Sequence, residues 1–151
     1  FMAWEILRGK DVKGEQFIVI GGGGVGLETA HYLAVRGKKV KVLEAMSRVG
    51  RDLGPIVSSY LRRILLQEGV EVICDVEVRS VENDVIRMTK EGREIVYDQV
   101  DGIIVAVGTR PDNSLVELLF GYPNVHVIGD ARRPAKALDA INEAFDLGLR
   151  L

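Results

Sequence analysis

The stretch FIVIGGGGVGLETAHYLAVRGKKVKVLE, Phe17 to Glu44, decides how the rest of the chain is read. Phe17 to Ile20 is an unbroken apolar run of strand length. Val25 to Arg36 carries a helical pattern that stops at Gly37, and Lys39 to Leu43 is a second strand rich in valine. Two buried strands joined through a helix make a β-α-β unit, which implies a parallel sheet with covered faces. Four consecutive glycines, Gly21 to Gly24, stand where the first strand turns into the helix.

Gly21, Gly23 and Gly26 fit the spacing G-x-G-x-x-G, and the strand-to-helix setting within about 30 residues makes that spacing informative. The first glycine permits a tight turn, the second lets a pyrophosphate approach the backbone, and the third lets the helix pack close to the strand. Gly22 and Gly24 keep the loop free of side chains. Val25 opens the helix, whose unpaired N–H groups and partial positive charge suit phosphate. Glu44 follows roughly 20 residues after the glycines, where an acidic side chain accepts hydrogen bonds from an adenosine ribose. A 2'-phosphate about 4 Å from that carboxylate meets a repulsion of roughly 4 kcal/mol per unit charge at an effective dielectric near 20. NADH is therefore expected over NADPH. Ala45 and Arg48 complete this candidate site, and Arg48 is the residue that could court a 2'-phosphate instead. Glu28, one turn into the helix, either stabilises the positive helix end or contacts the nicotinamide side of the ligand.

The remaining chain has ordinary composition, 47% hydrophobic and 28% charged over 151 residues, and its formal net charge of −2 gives no footprint for nucleic acid or an anionic membrane. Cys74 is the single cysteine, which excludes an internal disulfide or a cysteine metal cluster and makes a reducing, cytoplasmic setting the default. No apolar run approaches the ~20 residues that span a bilayer. Phe1 preceding Met2 suggests a piece of something longer.

A lead-in helix is expected over Met2–Lys10 and a further helix between Gly54 and Gly69, with Pro55 at its start and Ile56, Tyr60, Ile64 and Leu65 as its apolar stripe. Val70 begins a third buried strand. Then VEVRSVEND, VIRMTKEG and REIVYDQV alternate apolar with charged residues around the turn-forming pairs Asn83-Asp84 and Glu91-Gly92, which predicts a three-stranded antiparallel meander. Ile103 to Val107 returns as a buried strand. From Val125, VHVIGDARRPAKALDAINEAFDLGLRL reads as a strand, a Gly-Asp corner, a basic loop and an amphipathic helix. The fold class is thus α/β, a Rossmann-like parallel sheet with helices plus a three-stranded β-meander.

The order of these motifs, from VIGGGGVGLETAHYLAVRGKKVKVLE through VDGIIVAVGTRPDN to VHVIGDA, resembles the pyridine-nucleotide domain of flavoproteins with two dinucleotide-binding domains, the pyridine nucleotide-disulfide oxidoreductase superfamily. The lead-in AWEILRGKDVKGEQFIVIGGG is most similar to NADH:flavin oxidoreductases related to Old Yellow Enzyme, such as 2-enoate reductase and 2,4-dienoyl-CoA reductase. The resemblance implies an NADH domain at residues 1–122 and a returning fragment of the FAD domain at 123–151. It implies a parent chain with a FAD domain and a barrel bearing FMN and an iron-sulfur cluster. Under it, Gly21 to Gly26 hold the pyrophosphate, Glu28 lies near the nicotinamide and Glu44 holds the ribose. Ala106, Val107, Gly108 and Pro111 match the loop between the two dinucleotide sites, with Val107 where many relatives have threonine. Gly129 and Asp130 match the corner that binds the FAD ribityl chain, and Ala140 and Ile141 open the helix beneath the flavin. Ala144 replaces a common glycine. No second G-x-G-x-x-G unit, with which that FAD domain opens, is present in these residues. The implied function is to position nicotinamide for hydride transfer to FAD, with no catalytic acid or base. A non-catalytic nucleotide-sensing module is the rival, and an S-adenosylmethionine-dependent methyltransferase a weaker one.

Overall fold

The computed structural model describes residues 1–82, 85–98 and 100–151, so the expected Asn83-Asp84 turn lies outside the described residues. It divides into two compact units, Phe1–Gly108 and Thr109–Leu151.

In the first unit, β1 (Gln16–Ile20), α2 (Gly24–Ala34) and β2 (Lys39–Leu43) form the expected β-α-β unit, preceded by α1 (Ala3–Leu7). α1 is shorter than its sequence pattern because the chain leaves the helix at Arg8 and Gly9 takes φ +96°. α3 (Pro55–Gln67), β3 (Glu71–Ile73) and β7 (Gly102–Val105) complete a parallel sheet of order β3-β2-β1-β7. β4 (Val76–Glu82), β5 (Val85–Lys90) and β6 (Arg93–Tyr97) are the antiparallel meander, with a register shift between Val78 and Ser80. The chain is an α/β protein with a Rossmann-like sheet.

Alternation along the parallel strands sorts their side chains between two cores. Phe17, Val19, Val40, Val42 and Ile104 pack with Leu27, Ala30, Leu33 and Leu65 from the helices. Ile18, Leu43 and Ile103 point to the other face and pack with Val76, Ile86 and Met88 of the meander. Helices, parallel sheet and meander thus form three layers.

Two expected elements differ. On α3 the buried residue is Leu65, with Ser58, Leu61 and Ile64 half-buried, whereas Ile56 and Tyr60 are exposed. The face turned inward is the 58-61-65 row, beside the stripe drawn through Ile56 and Tyr60. β7 ends at Val105 rather than Val107: Ala106 still donates to the Ile20 carbonyl at 2.8 Å, but Val107 is exposed.

The second unit contains α4 (Ser114–Leu118), a 3-10 turn at Gly129–Ala131 and α5 (Ala137–Gly148). The strand expected from Val125 is not formed. Ile128 is extended, at φ −136° and ψ 167°, but among the described residues no strand pairs with the segment, and a strand exists only through its ladder. Among the described residues, every buried apolar side chain belongs to the first unit.

Candidate functional site

The glycine loop sits at the carboxyl end of β1, between the ends of β2 and β7. Gly21 takes φ +107°, donates to the Leu43 carbonyl at 2.8 Å, and has no room for a side chain because a Cβ would strike the Ala106 carbonyl. A Cβ on Gly26 would strike the Gly21 carbonyl, which is the close helix-to-strand approach its spacing predicts. Gly23 is the N-cap of α2 and offers no side-chain acceptor, so the first-turn N–H groups look outward for partners. These residues, with Ala106, form one backbone-lined corner.

Two carboxylates bind amides of the glycine loop, and one of them reaches the first turn of α2. Glu44, immediately after β2, accepts from Gly22 N at 2.5 Å through Oε2 and from Met46 N at 2.8 Å through Oε1. Each oxygen retains an acceptor site for a hydroxyl. Asp52, which the sequence reading passed over, accepts from Gly24 N at 3.1 and 3.0 Å through its two oxygens. Val49 is buried over the loop, and a Cβ on Gly22 would meet its Cγ1. Gly50 N donates to the Gly22 carbonyl at 2.7 Å, pinning the segment after β2 to the glycines. Ala45, Arg48, Val25 and Glu28 are exposed, as are Val107 and Gly108 (φ +94°).

Pro111 belongs to the second unit and is exposed, as is Ile141 on α5. There Gly129, at φ +62°, donates to Glu143 Oε2 at 2.8 Å, and a Cβ on it would lie 3.4 Å from the Ala140 Cβ. Glu143, a second residue missed from the sequence, therefore anchors the Gly-Asp corner to α5. Asp130 accepts from Ala135 N at 3.3 Å and is exposed.

Cys74 packs partly into the core. Burial pushes its thiol up from the ordinary range, and the nearby charges of Asp75 and Glu44 push the same way, so it stays protonated and a poor nucleophile. A groove of about 550 Å³ opens elsewhere in the first unit, lined by Lys38, Lys39, Glu68 and Glu71 beside the entry of the parallel strands. Ligands of open parallel sheets bind at the carboxyl ends of strands, where the glycines are. Among the described residues no helix is long and apolar enough to cross a membrane.

The sequence model of the pyridine nucleotide-disulphide oxidoreductases matches residues 4–144. The chain belongs to that family. Proteins similar to it include an NADH oxidase of Thermoanaerobacter brockii, 33% identical with all of this chain and 24% of the relative covered. A metal reductase of Desulforamulus reducens is 29% identical with 98% of this chain and 26% of the relative covered. A solved 2-naphthoyl-CoA reductase, in complex with 2-naphthoyl-CoA, superposes with a TM-score of 0.83 at 25% identity, covering 100% of this chain and 23% of that one. The chain spans about a quarter of the length of these relatives. With Cys74 as the single cysteine, no disulphide can form within these 151 residues.

Proposed function

We propose that the first unit is the NADH-binding domain of a flavin-dependent oxidoreductase. The observation that carries this reading is the donor set at the glycine corner. Gly24 N already binds a carboxylate, so it is aimed at anionic oxygen, Gly22 N fixes Glu44 beside it, and the glycines leave the backbone bare for a pyrophosphate. In this reading the Gly21–Gly26 loop holds the pyrophosphate, and Glu44 accepts from the ribose hydroxyls while repelling a 2'-phosphate. Glu28 faces the nicotinamide side, with Ala45 and Arg48 bordering the adenosine. When bound, NADH supplies hydride and FAD accepts it, the flavin being held mostly by the parent chain.

Ala106, Val107, Gly108 and Pro111 form the loop toward the flavin. Gly129, Asp130, Ala140 and Ile141 form the returning part of a FAD domain, with Glu143 keeping its corner in shape. The Old Yellow Enzyme-like arrangement, with a barrel carrying FMN and an iron-sulfur cluster, belongs to the same proposal and is supported by the likeness of the lead-in stretch, and a cytoplasmic parent by the single cysteine.

Separate titrations of the 151-residue chain with NADH, NADPH and S-adenosylmethionine test the reading. NADH should bind best, though weakly. Absence of NADH binding to the folded chain overturns the proposal, and equal affinity for NADPH overturns the role of Glu44. Binding of S-adenosylmethionine alone moves the chain to methyl transfer.

A further inference from the structure

The first N–H of α2, a donor suited to phosphate, is already taken, and the group that takes it is exposed. Asp52 reaches Gly24, 28 residues earlier in the chain, with both carboxylate oxygens. It substitutes for the capping side chain that Gly23 lacks, at the end of an eleven-residue helix. The segment that carries it is fixed at both sides. Val49 is buried over Gly22, Gly50 N is bonded to the Gly22 carbonyl, and Leu53 lies so close that a Cβ on Gly24 would come within 2.9 Å of its Cδ2. Among the described residues the Asp52 side chain has no hydrogen-bond partner besides Gly24, so a side-chain rotation releases it.

We propose that Asp52 is a displaceable internal anion of the nucleotide site: it caps α2 in the free chain and is expelled by the incoming pyrophosphate, so that it sets the affinity of the site. The proposal rests on the NADH reading above. A carboxylate and a phosphate oxygen compete for one N–H, and their charges exclude simultaneous close approach. If the carboxylate holds the amide nine-tenths of the time, apparent affinity falls about tenfold below that of the open site. Glu44 differs in kind: it sits to the side, on Gly22 and Met46, where a ribose adds to its contacts and displaces none.

The test compares the wild-type chain with Asp52→Asn and Asp52→Ala by titrating NADH, inorganic pyrophosphate and adenosine, and by melting each without ligand. Both variants should bind NADH and pyrophosphate more tightly, by about tenfold for Asp52→Ala. Adenosine affinity should not change, and the ligand-free variants should melt lower. A merely structural cap predicts the melting loss without the gain. If wild type binds NADH and neither variant binds it more tightly, the proposal fails while the NADH reading stands. If no variant binds NADH at all, the NADH reading fails and takes this one with it.

Discussion

Leu27 on α2 and Phe145 on α5 both lie on the apolar stripe of a helix, yet Leu27 is fully buried and Phe145 is 65% exposed. α2 rests on a parallel sheet whose other face is covered by the meander, so its stripe closes a core between layers. α5 presents Leu138, Ile141 and Phe145 at helical spacing, with Leu149 at its C-cap, all of them exposed. The carboxylates divide the same way. In the first unit Asp101, Asp52 and Glu44 accept from amides 86, 28 and 22 residues away, whereas in the second Asp130 and Glu143 reach only 5 and 14. Periodicity makes a helix; only a layer behind it makes a core.

That contrast is open to direct attack. Leu27→Ala should cost about 2–5 kcal/mol, as large-to-small changes in packed cores do. Phe145→Ala should stay within about 0.5 kcal/mol. Thermal melting of both variants decides it, and an equal loss for Phe145 would mean that the α5 stripe is covered in the folded chain. Gly26→Ala comes next, at about 1–3 kcal/mol for forcing a methyl against the Gly21 carbonyl. The loss should appear in melting and, with nucleotide, in weaker NADH binding.

Glu44→Gln turns one of its two accepting oxygens into an NH2 facing a backbone N–H, so it should cost about 1 kcal/mol of stability and narrow the preference for NADH over NADPH by about tenfold, measured as a ratio of dissociation constants. The smallest effect concerns Asp101, whose carboxyl is held below its ordinary value of 3.8 by the amides of Gln16 and Glu15. A depressed folded value means stability that is present above pH 3.8 and lost as pH falls through the folded value. Asp101→Asn should therefore melt slightly lower than wild type at neutral pH, and the two curves should converge in acid.

Much of the first unit was legible because its signals are local. The glycine spacing, the valine-rich Lys39–Leu43 and the alternation from Val76 to Tyr97 each specify their own element. Asp52 and Glu143 escaped because their roles are contacts across 28 and 14 residues, which no periodicity records. The available signal for Asp52 was faint, an acid between Gly50 and Gly54 in the segment after β2. Val125–Ile128 shows the opposite failure: it has the composition of a strand, but pairing is a property of two segments, and composition describes one. The boundary between the two compact units, after Gly108, falls where the layers of the first unit stop.

The margins of the parallel sheet carry a last consequence. Beyond β7, Phe1 N donates to the Ile103 carbonyl at 2.9 Å, the Phe1 carbonyl accepts from Val105 N at 2.8 Å, and Met2 bridges Val105. That margin is already paired. The opposite margin, β3, is only three residues long, and its Glu71 is engaged by Lys41 of the neighbouring strand. A strand from another molecule finds one side filled and the other short and charged, which is how natural sheets avoid growing edge to edge into aggregates.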